Sequence, residues 1–282
     1  MDKKETTKMK TETQEAPPPA SPTFKLAPPR SRPKTGMPTD GLGILSGLPK
    51  GGKTTLAASI PGCVLLELER GGADRIDGWV QEIPDLATLR IAMQAAVDDP
   101  AVKAIAIDSV DVFNDWSEAE VCATFGLETM SERKEGVNGF DVWKALRARY
   151  EGLVNYLKAS GKLAVLVAHS KEPKIDGDGK VVIPAGITIP GKLGGYLAAE
   201  ADFIGNVFKK QLGSNTVHYL SFQGGPLGTW GSRIPELEDK IIALPKTNQW
   251  SAVEAIFAAP AAQKAAEPKD DKKAPVEGKG GK

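Results

Sequence analysis

Eight consecutive residues, Gly47-Leu48-Pro49-Lys50-Gly51-Gly52-Lys53-Thr54, carry glycine, lysine and a hydroxyl at the spacing of a phosphate-binding loop, G-x-x-x-x-G-K-[ST]. Each residue type answers a need of polyphosphate chemistry. Glycines at 47, 51 and 52 let successive backbone N–H groups curl around a β-phosphate. Lys53 would neutralise the β- and γ-phosphates, and the Thr54 hydroxyl would hold Mg²⁺. The loop with Thr55 is therefore expected to bind ATP and Mg²⁺. Three more side chains have matching chemistry. Asp108 closes the apolar run Ala104-Ile105-Ala106-Ile107, the form in which a strand delivers a carboxylate to the metal; its alternative role is a helix N-cap at Asp108-Ser109. Glu69 follows Cys63-Val64-Leu65-Leu66-Glu67-Leu68 and would activate the water that attacks the γ-phosphate, with Glu67 as competitor and a surface ion pair to Arg70 or Arg75 as the plain alternative. His169 follows Leu163 to Ala168 and would either hydrogen-bond the γ-phosphate or simply satisfy a backbone carbonyl at a strand end.

These residues need elements that bring them to one place. Four apolar strands ending at Gly47, Glu69, Asp108 and His169 would do so, because ligands of an open α/β sheet bind at the carboxyl ends of its strands. Between them the sequence predicts helices. Thr54 to Ile60 is halted by Pro61-Gly62, and Asp85 to Val97 carries Leu86, Leu89, Met93 and Val97 at helical spacing behind an Asp85 cap. Two more helices are expected, over Val112 to Phe125 and over Phe140 to Leu157, the second with Phe140, Trp143, Leu146, Tyr150, Leu153 and Leu157 facing the core. Trp79 is placed in a loop. Lys171 to Gly195 reads as a long, Gly-rich, partly basic stretch with a turn at Asp176-Gly177-Asp178-Gly179. Alternation through Phe203, Ile204 and Val207, and through Val217, Tyr219 and Phe222, predicts a strand pair joined near Gly213-Ser214-Asn215, before a short helix from Trp250 to Phe257. The expected fold is α/β, a mainly parallel sheet flanked by helices with an antiparallel strand pair near the C-terminus.

Composition narrows the function. The chain has 282 residues, with 36 basic and 36 acidic side chains. Residues 1–40 and 261–282 are rich in Pro, Lys, Ala and Gly and hold 14 basic and 9 acidic side chains, so 22 minus 27 leaves −5 for residues 41–260. That excludes a globally basic nucleic-acid binder and confines any such contact to a local patch or the tails. Both tails are expected to stay disordered around one domain spanning 41–260, since they cannot bury enough apolar surface to order themselves. No run of 18 apolar residues and no signal region are present, so a soluble, cytoplasmic protein without membrane partners is expected. Cys63 and Cys122 are far apart, with no CxxC pairing, and indicate neither a disulfide framework nor zinc.

The segments GLPKGGKT, LELERGG, AIAIDS, VLVAHS and IPGKLGG, in that order, resemble the short RecA-like ATPases encoded by bacteriophages. These are RecA cores without the larger recombinase's extra domains, and some act in single-strand annealing and recombination. The resemblance covers about residues 41–257. It implies a RecA-like P-loop NTPase core, with Glu69 as hydrolytic acid, His169 as γ-phosphate sensor, and a DNA-contacting loop from about Lys171 to Lys192 in which Lys171, Lys174 and Lys180 supply the charge. It places Lys192 or Arg233 in the neighbouring subunit's site. The implied protein is a Mg²⁺-dependent, DNA-stimulated ATPase acting on single-stranded DNA in phage recombination, annealing or repair. Its partners would be its own copies, as a ring or filament, and a single-stranded-DNA-binding or annealing protein, in the cytoplasm of a bacterial host. The N-terminal tail shows no obvious polymerisation strand. The same motifs would serve a RecA-core helicase or motor. From other classes, a nucleotide-gated interaction protein remains, as does a small-molecule kinase, which would need an Arg-lined acceptor pocket that the sequence does not display.

Overall fold

A computed structural model describes residues 36–178, 181–183, 185–225 and 228–258. The predicted tails, apart from residues 36–40, and Lys180 lie outside the described residues. The apolar runs form β1 (Gly41–Gly47), β2 (Cys63–Glu67), β4 (Ala104–Asp108) and β5 (Leu163–Lys171), buried almost throughout. They are apolar on both faces because helices cover both. Leu42, Ile44, Leu66, Ile105 and Leu166 pack toward α2 (Leu86–Asp98), α3 (Val110–Phe125), α4 (Gly139–Ala159) and α5 (Gly191–Glu200). Leu45, Leu65, Ala106 and Val165 pack toward α1 (Lys53–Ala58) and α6 (Ser251–Ala258). As predicted, Asp85 caps α2, its carboxylate accepting Thr88 N–H at 2.7 Å.

The sheet runs β12 (Ile241–Leu244), β10 (Asn215–Ser221), β9 (Phe203–Leu212), β1, β5, β4, β2, β3 (Trp79–Glu82). From β9 to β3 it is parallel, while β9, β10 and β12 are antiparallel. This is the expected mainly parallel α/β sheet with a C-terminal antiparallel pair. Register does the positioning. Gly47 stands beside His169, and Asp108 stands between Glu67 and Val167, so the four candidate strand ends emerge at one edge.

Several expectations need correction. Trp79 begins the edge strand β3 instead of lying in a loop, and four residues with a half-exposed Trp are too few to show alternation. Phe140 and Trp143 point outward, 72 % and 43 % exposed; the buried stripe of α4 is Val142, Leu146, Tyr150, Leu153, Val154 and Leu157. The first turn of a helix that overhangs its sheet carries apolar spacing without a surface to cover. The stretch after His169 is not a simple loop. It contains β6 (Lys174–Ile175) paired with β7 (Val181–Ile183), a return strand β8 (Gly186–Ile187) on β5, and the start of α5, which three glycines concealed. A two-residue strand, β11 (Gly231–Ser232), pairs with β9. No helix among the described residues is long and apolar enough to cross a membrane.

Candidate active site

The phosphate loop bridges β1 and α1. Gly52 caps α1 at φ +102°, a conformation open to glycine, and Lys50 also lies in the left-handed region at φ +62°. Packing demands glycine too. A Cβ on Gly47 would stand 2.2 Å from the Val207 carbonyl oxygen of β9, and one on Gly52 would stand 2.6 Å from the His218 ring of β10. His218 Nδ1 lies 3.1 Å from the Gly51 carbonyl oxygen, to which it donates when protonated at that nitrogen. The loop is thus braced from behind by the β9–β10 hairpin. Leu48 and Pro49 form its exposed tip, and Thr55 lies exposed on the first turn of α1.

Lys53 is 5 % exposed, and its ammonium donates to the Gly47 and Leu48 carbonyls at 3.0 and 3.1 Å. Burial lowers its pKa, while Asp108, Glu69 and Asp111 oppose the shift. Thr54 donates its hydroxyl to Asp108, also 5 % exposed, whose carboxyl is pushed up to about 6 by burial against that hydrogen bond. Glu69 raises it further, and Lys53 and His169 lower it. A hydroxyl and a carboxylate in contact offer two hard oxygens, which fits Mg²⁺, an ion that takes one or two protein ligands and completes its shell with water and phosphate. Among the described residues no three His, Cys, Asp or Glu side chains cluster to hold a metal unaided. Such a site needs the nucleotide to complete it.

Glu69 and Glu67 separate cleanly. Glu67 is 4 % exposed, and its carboxylate accepts Ala73 N–H at 2.6 Å, fixing the turn after β2. Glu69, one third exposed, accepts the Ser109 hydroxyl at 2.6 Å and meets His169 Nε2 at 3.1 Å. His169 Nδ1 faces Lys53 Nζ at 3.5 Å. With the ammonium as donor, Nδ1 accepts and the Nε2 proton goes to Glu69. A chain of contacts thus runs Lys53, His169, Glu69, Ser109 beside Asp108. The Asp108–Ser109 peptide bond is cis.

His169 is also tied to the segment that follows it. Its N–H donates to Asp111 Oδ2 at 2.8 Å, and its carbonyl accepts Thr188 N–H at 2.9 Å and the Thr188 hydroxyl at 2.8 Å. The same hydroxyl lies 2.5 Å from Asp111 Oδ1. Asp111 and Thr188 therefore clamp both ends of the segment carrying Lys171 and Lys174, both exposed. Lys192 is exposed on the first turn of α5. Arg233 is far from this site. It follows β11, hydrogen-bonds the Ala199 carbonyl and stands 4.0 Å from Asp202, whose other oxygen accepts Leu42 N–H at the opposite end of β1. That is roughly 20 Å from the loop at about 3.3 Å per strand residue.

Sequence reading missed Ser109, Asp111, Thr188 and His218. Ser109 and Asp111 follow the acid of the Walker B run and were legible as near neighbours. Thr188 and His218 act through sheet register, which no local pattern carries. Residues 42–233 match the family described as an AAA domain. Comparison with curated proteins gives no match.

Proposed function

The chain belongs to the AAA domain family, a P-loop NTPase family, and on that footing we propose that it is a Mg²⁺-dependent ATPase whose nucleotide state sets the shape of a single-strand-binding segment. The observation that supports this is the continuous set of contacts from Lys53 through His169 to Asp111 and Thr188. ATP binds with its phosphates on the backbone N–H groups of Gly47 to Thr54. Lys53 turns from the loop carbonyls toward the γ-phosphate, and a phosphate oxygen replaces His169, the longest of the ammonium's three contacts. Bound at Thr54 and Asp108, Mg²⁺ supplies charge neutralisation of the β- and γ-phosphates. Glu69 orients the attacking water and draws off its proton, while Ser109 and His169 fix the carboxylate.

Movement of His169 toward the γ-phosphate strains its clamp to Asp111 and Thr188 and shifts the segment between. Lys171, Lys174 and Lys180 on that segment contact the phosphates of single-stranded DNA. In this reading the protein is RecA-like, phage-encoded and active in recombination, annealing or repair, where a single-strand-binding or annealing protein would share its substrate. It assembles with its own copies, which explains Arg233 and Lys192: both lie outside their own site and reach a neighbour's nucleotide. The test is single-strand binding at two salt concentrations, with and without a non-hydrolysable ATP analogue. Replacing Lys171, Lys174 and Lys180 by Ala should weaken binding and flatten its salt dependence; His169→Ala should spare nucleotide-free binding and abolish its enhancement. A triple variant matching the parent at both salts would remove this segment from the DNA site.

A further inference from the structure

β1 stops at Gly47, while its neighbours continue, β5 to Lys171 and β9 to Leu212. The gap beyond β1 is filled on one side by the phosphate loop. On the other it is a crevice of about 300 Å³. Ser170, Asn206, Phe208 and Trp230 line it, with Leu48 and Pro49 closing the end nearest the loop. Alternation along the strands puts Ser170 on one face with Ala168, and Asn206 and Phe208 on that face with Ile204. The crevice is separate from the phosphate site, since Lys53, Thr54, Glu69, Asp108 and His169 do not line it.

Its walls are rigid and flat. The Trp230 indole donates Nε1–H to Ser46 at 2.9 Å, and Gly228 lies so close that a Cβ there would stand 2.0 Å from the ring. Phe208 stacks on Tyr219 across the hairpin, centroids 5.5 Å apart and planes 17° from parallel, with Lys210 Nζ 5.6 Å from the Phe208 centroid. Against these walls stand two unused polar groups. The Asn206 amide and the Ser170 hydroxyl have no hydrogen-bond partner among the described residues. Around the mouth, Lys171 and Lys209 are exposed, with Glu172 as the carboxylate of the same lip.

We propose that this crevice receives one unstacked base of a single-stranded nucleic acid. Phe208 and Trp230 give it apolar and aromatic surface, the Asn206 amide a donor and an acceptor for its edge, and Lys171, Lys209 and Lys210 contacts to the flanking phosphates. Flat aromatic walls, an amide with both hydrogen-bonding senses and lysines at the rim are the combination that single-strand recognition uses. The proposal rests on the single-strand reading above and adds a base site beside the lysine segment. It also supplies a route to the nucleotide, because Leu48 and Pro49 are shared between the crevice wall and the phosphate loop.

The test compares a thymidine oligonucleotide with an abasic phosphodiester oligomer of equal length, on the full chain. The parent should prefer the thymidine strand by about tenfold, the scale of base stacking on an aromatic side chain. Asn206→Ala and Phe208→Ala should each lower thymidine-strand affinity toward the abasic level, leaving abasic affinity and the salt slope unchanged. Lys209→Ala with Lys210→Ala should weaken both oligomers and flatten the slope. ATP-analogue binding without DNA serves as the check that variants fold. Equal parental affinity for the two oligomers, or Asn206 and Phe208 variants that match the parent, would overturn the base site while leaving the single-strand reading intact. Absence of binding to either oligomer at low salt would overturn both.

Discussion

At the scale of single residues, two carboxylates two positions apart on one strand end have opposite roles. Glu69 meets His169 and Ser109 with part of its surface open to a water, whereas Glu67 is sealed against Ala73 N–H. Glu69→Gln should bind nucleotide normally and lose hydrolysis by a factor of roughly 10² or more, the scale of a lost general base. Glu67→Gln should keep most of its turnover and lose about 1–2 kcal/mol of stability, because a carboxylate that accepts a buried N–H gives way to an amide with an unpaired donor. Phosphate release and melting of the two variants decide this, and the reverse pattern would exchange the roles. Asp108 offers a second separation. Its folded pKa of about 6 stands above the ordinary 3.8 because burial penalises the anion. The metal-free folded state therefore holds this proton more tightly than the unfolded chain, and stability falls as pH rises from about 4 to 6. Asp108→Asn should raise the melting temperature of metal-free protein at pH 7.5 by several degrees, up to about 3 kcal/mol for two pKa units, with the gain fading near pH 4. A melting temperature lowered at pH 7.5 would show that the carboxylate stabilises the fold by its contacts with Thr54 and Lys53.

At the scale of elements, the bracing of the phosphate loop by β10 is the contact with the most direct consequence. His218→Asn keeps an N–H donor near the Gly51 carbonyl, while His218→Phe removes it. The Phe variant should weaken ATP binding roughly 5- to 10-fold, the worth of about one hydrogen bond, with turnover at saturation spared and the Asn variant close to the parent. Equal binding by all three proteins would free the loop from the hairpin. The sequence revealed the loop itself, the four buried strands and the capped helix at Asp85, because each is signalled by a local run or motif. It misplaced Phe140 and Trp143, since helical spacing cannot show where the supporting sheet ends. It passed over β3, β11, β12 and the first turns of α5, which are short or Gly-rich and exist through pairing and packing with distant residues. The candidate site divides the same way. Glu69, Asp108 and His169 are strand-end residues legible from the runs before them. His218 and Thr188 reach the site through register across β10 and β8, and no pattern near them announces it.

Over the whole molecule, charge decides where a polyanion can sit. Residues 41–260 carry a net −5, so a nucleic-acid strand must follow the local lysines of the His169 segment and the β9–β10 hairpin and avoid the rest. Both groups of lysines flank the edge at which the ATP site opens, which ties the two ligands together in one account: hydrolysis at Glu69 and strand binding beyond His169 should depend on each other. The measurement that tests this most directly is phosphate release by the purified full chain with Mg²⁺ and ATP, with and without single-stranded DNA, in parent, Lys53→Ala and Glu69→Gln proteins. The account predicts turnover in the parent that rises with the strand and falls to background in both variants, with nucleotide binding kept in Glu69→Gln alone. Parental turnover that persists unchanged in Lys53→Ala, or that single-stranded DNA leaves unaltered while it demonstrably binds, would contradict it.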